Sequence, residues 1–275
     1  MSLYLKVYSR NERYAFKVAR LLKKLKLFYT LYEKSLDGDE SLSKFKDRHK
    51  GERCFIMGGG PSLKAINPEF LKREVTFGVN GIFLIYDWLG FEPTYYCVED
   101  CLVYEDRWRD ITKKIKSSTC FFPVQFSSEE FDRVNHNYFK AIYEFDPRAG
   151  FPRFSEDISK LVWIGGTVTY VCIQLALYMG FEEVYLLGMD HNYAKPDHVE
   201  SDGDIWLSQG NDPNHFHPDY FGSGYRWHDP KVWRMEEAYC KARQVFERRG
   251  KKIINATVGG NLEVFDRVNY AELFR

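Results

Sequence analysis

The sequence lacks the cysteine and glycine patterns that most directly assign a function. None of its six cysteines forms a Cys-x-x-Cys pair, and no cysteine lies at zinc-finger spacing from a histidine. Neither a Gly-x-Gly-x-x-Gly fingerprint nor a Gly-Lys-Ser/Thr phosphate loop is present. These absences exclude zinc fingers, the standard dinucleotide fingerprint and the P-loop NTPases.

Long apolar runs and net charge are also missing. No apolar run approaches the roughly 18 residues of a membrane-spanning helix, and no signal peptide is recognisable, so we expect a cytoplasmic protein with reduced cysteines. The 39 basic and 39 acidic residues cancel to a formal net charge of zero. Without a global positive field, we expect no nucleic-acid partner.

One local stretch is strongly basic. Residues 12–34 place apolar side chains at helical spacing between lysines and arginines, which predicts an N-terminal amphipathic helix. Such a helix packs on its own domain or on another subunit, or it lies peripherally on the inner face of an anionic membrane. A polar connector over residues 35–43 follows, so we divide the chain into an extension, residues 1–43, and a catalytic domain, residues 44–275.

Short β-like segments alternate with helical segments through the second part of the chain. This order predicts an α/β fold, a Rossmann-like and mostly parallel sheet with helices on both faces. Predicted strands are Arg53–Met57, Val75–Val79, Thr94–Val98, Thr119–Pro123, Ala141–Phe145, Glu183–Leu187 and Lys252–Asn255. Predicted helices are Asn67–Lys72, Val103–Lys116, Gly166–Met179, Pro230–Arg249 and Tyr270–Phe274. Residues 194–229 are polar, aromatic and without clear periodicity, which predicts an active-site loop or lid.

Three consecutive glycines, Gly58, Gly59 and Gly60, follow the first predicted strand in the segment CFIMGGGPSL. Glycine lets a backbone approach a phosphate closely, and free amides at a helix start favour an anion. Pro61 suits a first helical position, and the Ser62 hydroxyl can donate to an oxygen. The segment predicts a phosphate-binding turn, although a tight strand-to-helix turn without a ligand stays an alternative.

Polar residues also follow other predicted strands. They are Asn80, the pair Glu99 and Asp100, and Asp190, while Gly166 and Thr167 precede an apolar helix. Because the carboxyl ends of parallel strands face one crevice, we expect these groups to converge there.

The segment NDPNHFHPDYFGSG contains the densest titratable cluster, with His215, His217 and Tyr220. A histidine there could act as a general base, the two could bind a metal with a carboxylate, or both could only hydrogen-bond the loop. The sequence leaves these three alternatives open.

Taken in order, GGGPSL, FGVNG, GTVTYVC followed by LGMD, and NHFHPDYFG resemble a known superfamily. Residues 50–260 are similar to the domain shared by bacterial motility accessory factors and archaeal MptE-like 6-hydroxymethylpterin diphosphokinases. They are also similar to the family-42 bacterial sialyltransferases, which use CMP-sialic acid.

The resemblance implies a glycosyltransferase that moves a sialic acid-like nonulosonate from a CMP-sugar donor to a glycan or protein acceptor. It implies donor contacts at Gly58–Gly60, Ser62 and Asn80, although Gly59 replaces a donor-binding asparagine of the sialyltransferases. It implies nucleoside contacts at Gly166, Thr167 and Asp190, a leaving phosphate held by Tyr193 or Tyr220, and His215 or His217 as the base.

The same resemblance implies no required cofactor, no metal and a homo-oligomer. Its alternative is an ATP- and Mg²⁺-dependent diphosphokinase with Glu99, Asp100 and Asp190 on the metal side. A third interpretation is a non-catalytic module that binds a nucleotide or a glycan.

Overall fold

The computed structural model describes residues 26–194 and 199–275. Most of the predicted N-terminal helix therefore lies outside the described residues. The described part contains the following strands: β1 Arg53–Met57, β2 Val75–Val79, β3 Tyr95–Cys97, β4 Thr119–Pro123, β5 His136–Phe139, β6 Ala141–Ile142, β7 Val162–Trp163, β8 Glu183–Leu187, β9 Val199–Asp202, β10 Ile205–Ser208, β11 Arg226–His228, β12 Lys252–Asn255 and β13 Asp266–Arg267.

The α-helices of the described part are α1 Lys26–Ser35, α2 Glu40–Ser43, α3 Tyr86–Leu89, α4 Cys101–Lys114, α5 Val168–Met179 and α6 Val232–Arg248. Short 3-10 helices occupy Pro61–Ala65, Pro68–Leu71, Asn80–Ile85, Val124–Phe126, Pro147–Ala149 and Tyr270–Phe274. Two of these correspond to helices predicted at Asn67–Lys72 and Tyr270–Phe274.

Eight strands form the central sheet, in the order β13-β12-β8-β1-β2-β3-β4-β5. Every neighbouring pair in this sheet is parallel. The predicted Rossmann-like α/β fold is therefore confirmed. From β1 the chain adds strands on one side as far as β5 and then crosses to add β8 on the other side of β1. The strand order thus reverses between β1 and β8, where open α/β sheets bind ligands.

Helices cover both faces of this sheet, as the burial of β1 demonstrates. Cys54 and Ile56 belong to one apolar core, which includes α5, whereas Phe55 and Met57 belong to a second core, which includes residues of α4. Strands buried on both faces read as continuous apolar runs, and this is why β1, β2, β4 and β8 could be predicted with their observed bounds.

The described end of the predicted N-terminal helix packs on the first core. In α1, the Tyr29 ring meets Trp163 edge-on, and its hydroxyl donates to buried Glu144 at 2.8 Å. Among the described residues, no helix combines the length and the apolar character needed to cross a bilayer.

Two regions differ from the prediction. The strand predicted at Ala141–Phe145 is only β6, which pairs with β7 in a separate small sheet, and the edge position of the central sheet belongs to β5 instead. The region predicted as a loop or lid, residues 194–229, contains a three-stranded antiparallel sheet in the order β11-β10-β9.

Candidate active site

A cleft opens at the carboxyl ends of β1 and β8. We call it the inner cleft; it encloses about 570 Å³, counting space open to solvent, and its lining includes the glycine turn, Asn80, Thr167, Asp190, Tyr193, His215 and Tyr220. These residues come from five separate parts of the sequence. The parallel sheet brings the glycine turn, Asn80 and Asp190 together because they follow its strands, and Thr167 begins α5 at the same edge, whereas His215 and Tyr220 come from the loop between β10 and β11.

A second, larger cleft of about 1370 Å³ adjoins the first. We call it the outer cleft; its lining includes Glu99, Asp100, Gly166, His228 and Arg234. Asn80, Thr167, Tyr193 and His215 line both clefts. A ligand longer than one cleft can therefore extend from the glycine turn into the outer cleft past His215.

Each residue of the glycine turn is glycine for a packing reason. A Cβ on Gly58 would lie 2.6 Å from the Met189 sulfur, and one on Gly60 would lie 1.9 Å from an Asp190 carboxylate oxygen. A Cβ on Gly59 would lie 2.6 Å from the His215 ring. The three glycines therefore let this turn approach the end of β8 on one side. On the other side they let it approach the loop between β10 and β11 that carries His215, which we call the histidine loop.

The prediction that the amides of this turn are free to bind a phosphate is wrong for three of them. Gly58 N donates to Leu187 O at 2.8 Å, and Gly60 N donates to Gly188 O at 2.9 Å. The amide and the hydroxyl of Ser62 both donate to the Asp190 carboxylate, the hydroxyl at 2.6 Å. Asp190 thus occupies the anion position at the start of the 3-10 helix that Pro61 opens.

His215 forms a hydrogen-bonded pair with Asp212. The His215 Nδ1 and Asp212 Oδ2 atoms are 2.6 Å apart, and the Asp212 carboxylate is buried and accepts further bonds from the amides of Asn214 and Phe221. A fixed carboxylate at Nδ1 holds the proton there and leaves Nε2 as an acceptor. Sequence reasoning missed Asp212, although its position three residues before His215 was an available signal.

His217 lies elsewhere. Among the described residues it lines neither cleft, and its Nδ1 accepts a hydrogen bond from the Asp219 amide at 3.1 Å. Of the two histidines that the sequence left open, only His215 has the position of a base in the inner cleft. His217 shapes the turn that follows it.

Tyr220 supports the His215 ring. Their rings stack in parallel with centroids 4.1 Å apart, and burial raises the pKa of the Tyr220 hydroxyl, which therefore stays neutral. Tyr193 is 36% exposed and lines both clefts. Of the two predicted tyrosines, Tyr193 is therefore the more exposed residue, although burial of its hydroxyl raises the pKa of that group as well.

Asn80 combines backbone strain with an unsatisfied side chain. Its φ of 46° lies in the left-handed region, and its buried side-chain oxygen Oδ1 has no hydrogen-bond partner among the described residues. Strained residues with unpaired polar atoms cluster at ligand sites. Asn80 is therefore suited to accept a hydrogen bond from a ligand where the two clefts meet.

The loop that carries His215 is fixed from beneath by Arg107 of α4, which sequence reasoning also missed. Arg107 is 3% exposed, donates to the carbonyls of Asp219 and Tyr220, and stacks its guanidinium 3.8 Å from the Tyr225 ring centroid. Its helical spacing from Val103 and Ile111, which are both buried, was an available signal, whereas Arg109 lies off that face and is exposed.

Two ionisable groups in the outer cleft, Arg234 and Glu99, form no ion pair among the described residues. Among the described residues, Arg234 forms no ion pair, its Nε has no hydrogen-bond partner, and its guanidinium lies 4.0 Å from the Phe145 ring centroid. Burial, together with neighbouring Asp100, raises the pKa of Glu99 to about 8, against a lowering effect of His228. The outer cleft therefore offers a cation for a ligand anion. Asp190 does not share this property, because its carboxylate accepts hydrogen bonds from the amide and the hydroxyl of Ser62.

A family model described as 6-hydroxymethylpterin diphosphokinase MptE-like matches residues 28–196. The chain belongs to this MptE-like family. The matched segment contains β1 to β8, and hence the glycine turn, Asn80 and Asp190, but it ends before His215. The superfamily predicted from the sequence motifs is confirmed.

Among solved structures, the chain is similar to the MAf glycosyltransferase from Magnetospirillum magneticum AMB-1, with a TM-score of 0.50 and 18% sequence identity. The similarity covers 83% of this chain but 37% of that protein. At this identity the likeness is evidence for the shared fold alone. No curated protein matches the chain.

Proposed function

We propose that this MptE-like protein is a glycosyltransferase that moves a sialic acid-like nonulosonate from a CMP-sugar donor to a hydroxyl of a glycan or protein. The observation that carries the proposal is the Asp212–His215 pair, which lies against the glycine turn at the reversal of strand order. A nucleotide-sugar transferase needs a general base beside a nucleotide-binding crevice, and the hydrogen-bonded His215 beside the cleft at the glycine turn supports this assignment.

In the proposed reaction, His215 Nε2 accepts the proton of the acceptor hydroxyl while Asp212 stabilises the resulting imidazolium. The acceptor oxygen bonds to the sugar carbon that carries the phosphate. The bond from that carbon to the phosphate oxygen breaks, and CMP leaves with the bonding electrons. Tyr193, the more exposed of the two tyrosines, donates its neutral hydroxyl to the departing phosphate.

The two clefts support an elongated, anionic donor. Asn80 offers its unpaired oxygen to a donor hydroxyl or N–H group at the junction of the clefts. Arg234 offers an unpaired guanidinium for the sugar carboxylate in the outer cleft. Thr167 and Asp190 would contact the nucleoside, and for Asp190 this requires release of its bonds to Ser62.

The two histidines provide a matched test. We expect His215→Asn to lower transfer from CMP-sialic acid to a glycan acceptor by about 10²–10⁴-fold, the usual contribution of a general base. Asp212→Asn should lower it similarly, because the amide no longer holds the proton on Nδ1. His217→Asn is the control and should retain activity. Equal activity of His215→Asn and the unmodified protein would refute the proposed base.

Ligand-dependent melting separates this proposal from the diphosphokinase named in the family description. A ligand at a hundred times its dissociation constant adds about 2.7 kcal/mol to the free energy of unfolding, which raises the melting temperature by several degrees in a chain of this size. Stabilisation by CMP without added metal supports the transferase. Stabilisation by ATP only together with Mg²⁺ supports the diphosphokinase, and no response to either supports a non-catalytic module.

A further inference from the structure

The wall of the outer cleft contains a cluster of metal-ligating side chains with no role in the proposed transfer. Asp100 and Cys101 begin α4, and His228 ends β11. One ligand atom from each of these three residues lies within 4.8 Å of the others, and this is the one such group of three in the described part of the chain.

The spacing of two of these atoms already matches a shared cation. Asp100 Oδ2 and His228 Nδ1 are 2.9 Å apart. Metal–ligand bonds of about 2.0–2.2 Å at tetrahedral angles hold oxygen and nitrogen ligands a little more than 3 Å apart. A metal ion can therefore lie between these two atoms after a small outward movement of the side chains. The second oxygen, Asp100 Oδ1, accepts a bond from Leu102 N at 2.8 Å, which fixes the carboxylate in orientation.

Glu99 provides an independent observation that a cation belongs here. Its side chain is 8% exposed and lines the outer cleft, and its carboxylate makes no hydrogen bond or ion pair within residues 26–194 and 199–275. A buried carboxylate without a partner is costly, and such groups pair with cations or coordinate metals.

We propose that Asp100, Cys101 and His228 bind a divalent transition metal ion of the Zn²⁺ type, with the Glu99 carboxylate beside it offsetting its charge. A set of one oxygen, one sulfur and one nitrogen ligand suits Zn²⁺ or Co²⁺, whereas Mg²⁺ prefers oxygen alone. Three protein ligands leave a coordination position open. Because His215 and Tyr193 line the same cleft, an oxygen of the bound substrate can fill that position.

Cobalt binding to the tag-free, metal-stripped full chain tests this proposal directly. We expect one equivalent of Co²⁺ to bind and to produce a thiolate-to-cobalt charge-transfer band, which Zn²⁺ then displaces. Cys101→Ser should remove the band and weaken binding by at least about tenfold, a loss that even changes outside the ligand set reach in metal sites. Cys240→Ser changes an exposed cysteine of α6 and is the control. It should leave the charge-transfer band and the Co²⁺ affinity unchanged.

The Asp100→Asn variant tests whether a loss of Co²⁺ binding is caused by misfolding. Asparagine caps a helix as well as aspartate does, so this variant should melt like the unmodified protein and still lose Co²⁺ affinity. A charge-transfer band that persists in Cys101→Ser, no Co²⁺ binding, or binding of Mg²⁺ alone would each overturn the proposal. Because the readout is metal binding, the outcome is independent of whether the protein transfers a sugar.

Discussion

At the scale of single residues, Gly59 joins the turn after β1 to the loop that carries His215, the proposed base. Its carbonyl accepts the Phe216 amide at 2.9 Å, and its missing side chain leaves room for the stacked rings of His215 and Tyr220. Any side chain at this position must displace a ring, since a Cβ would lie 2.6 Å from one and 2.9 Å from the hydroxyl of the other.

We therefore expect Gly59→Ala to fold and yet to lose transfer activity. The displaced loop should cost about 10²-fold in transfer rate, because a shift of about 1 Å in a catalytic group has that effect. Gly210→Ala is the control, because a Cβ at that position would meet no atom within 4 Å. Gly250→Ala is unsuitable, because a φ of 70° strains any residue other than glycine. Steady-state kinetics and melting curves of both variants provide the measurement. Normal turnover by Gly59→Ala would show that His215 does not need its present position.

Some residues of the candidate site could be predicted from the sequence, and others were missed. Asn80 and Asp190 could be predicted because polar residues directly after buried strands must lie at one sheet edge. Asp212 was missed although it lies three residues before His215, because its proposed role follows from bonds to His215 and to the Asn214 and Phe221 amides. Those bonds form only after the loop folds.

At the scale of elements, α4 positions the histidine loop. Its Arg107 is buried beneath the loop and donates to two of its carbonyls, while Arg226 at the start of β11 pairs with Asp106 on the same helix. The small antiparallel sheet and the histidine loop are therefore held against α4 by ionic contacts. Sequence periodicity could not reveal this arrangement, since β9 to β11 are short and pair only with one another.

Replacing Arg107 should loosen this attachment. We expect Arg107→Met to lower the free energy of unfolding by about 1.5–3 kcal/mol, the usual contribution of hydrogen bonds to a charged group, and to reduce turnover because His215 loses its support. Arg109→Met is the matched control, two residues along the same helix and exposed. Urea unfolding monitored for both variants tests this; equal midpoints for the two would contradict the assigned role of Arg107.

At the scale of the whole molecule, one edge of the sheet makes stability depend on pH. The His136 imidazole in β5 lies between the rings of Phe122 and Phe131, at centroid distances of 4.9 and 4.8 Å. Burial lowers the pKa of His136 to about 4, with a further lowering by Arg133 and an opposing effect of Asp132. The unfolded chain therefore binds a proton at a higher pH than the folded chain does.

Stability should consequently fall as pH decreases from about 6.5 to about 4, since the unfolded state takes up the proton first. Above that window the neutral imidazole makes no pH-dependent contribution. His136→Gln removes this titration and should flatten the dependence relative to the unmodified protein, although carboxylates still contribute in both. Unfolding free energies from pH 4 to 7 give the comparison. Parallel curves would mean that His136 titrates alike in both states.

The overall architecture was the most predictable property, and the edge strands of the central sheet were the least predictable. Continuous apolar runs gave β1, β2, β4 and β8 with their observed bounds, because strands buried on both faces leave a strong signal. β5 was missed because it has only four residues at the margin of the sheet and one of its two buried positions holds the polar Asn137. β13 has only two residues, too few for any periodicity.

The match to the family ends at residue 196, whereas Asp212 and His215 lie beyond it. The glycine turn and the proposed base are thus encoded in separate stretches of the gene, and in the folded chain the His215 ring rests against the backbone of Gly59. If the proposed transfer holds, exchanging the loop that carries His215 between relatives should change the acceptor and leave the glycine turn unaltered, and chimeras of this kind test that expectation.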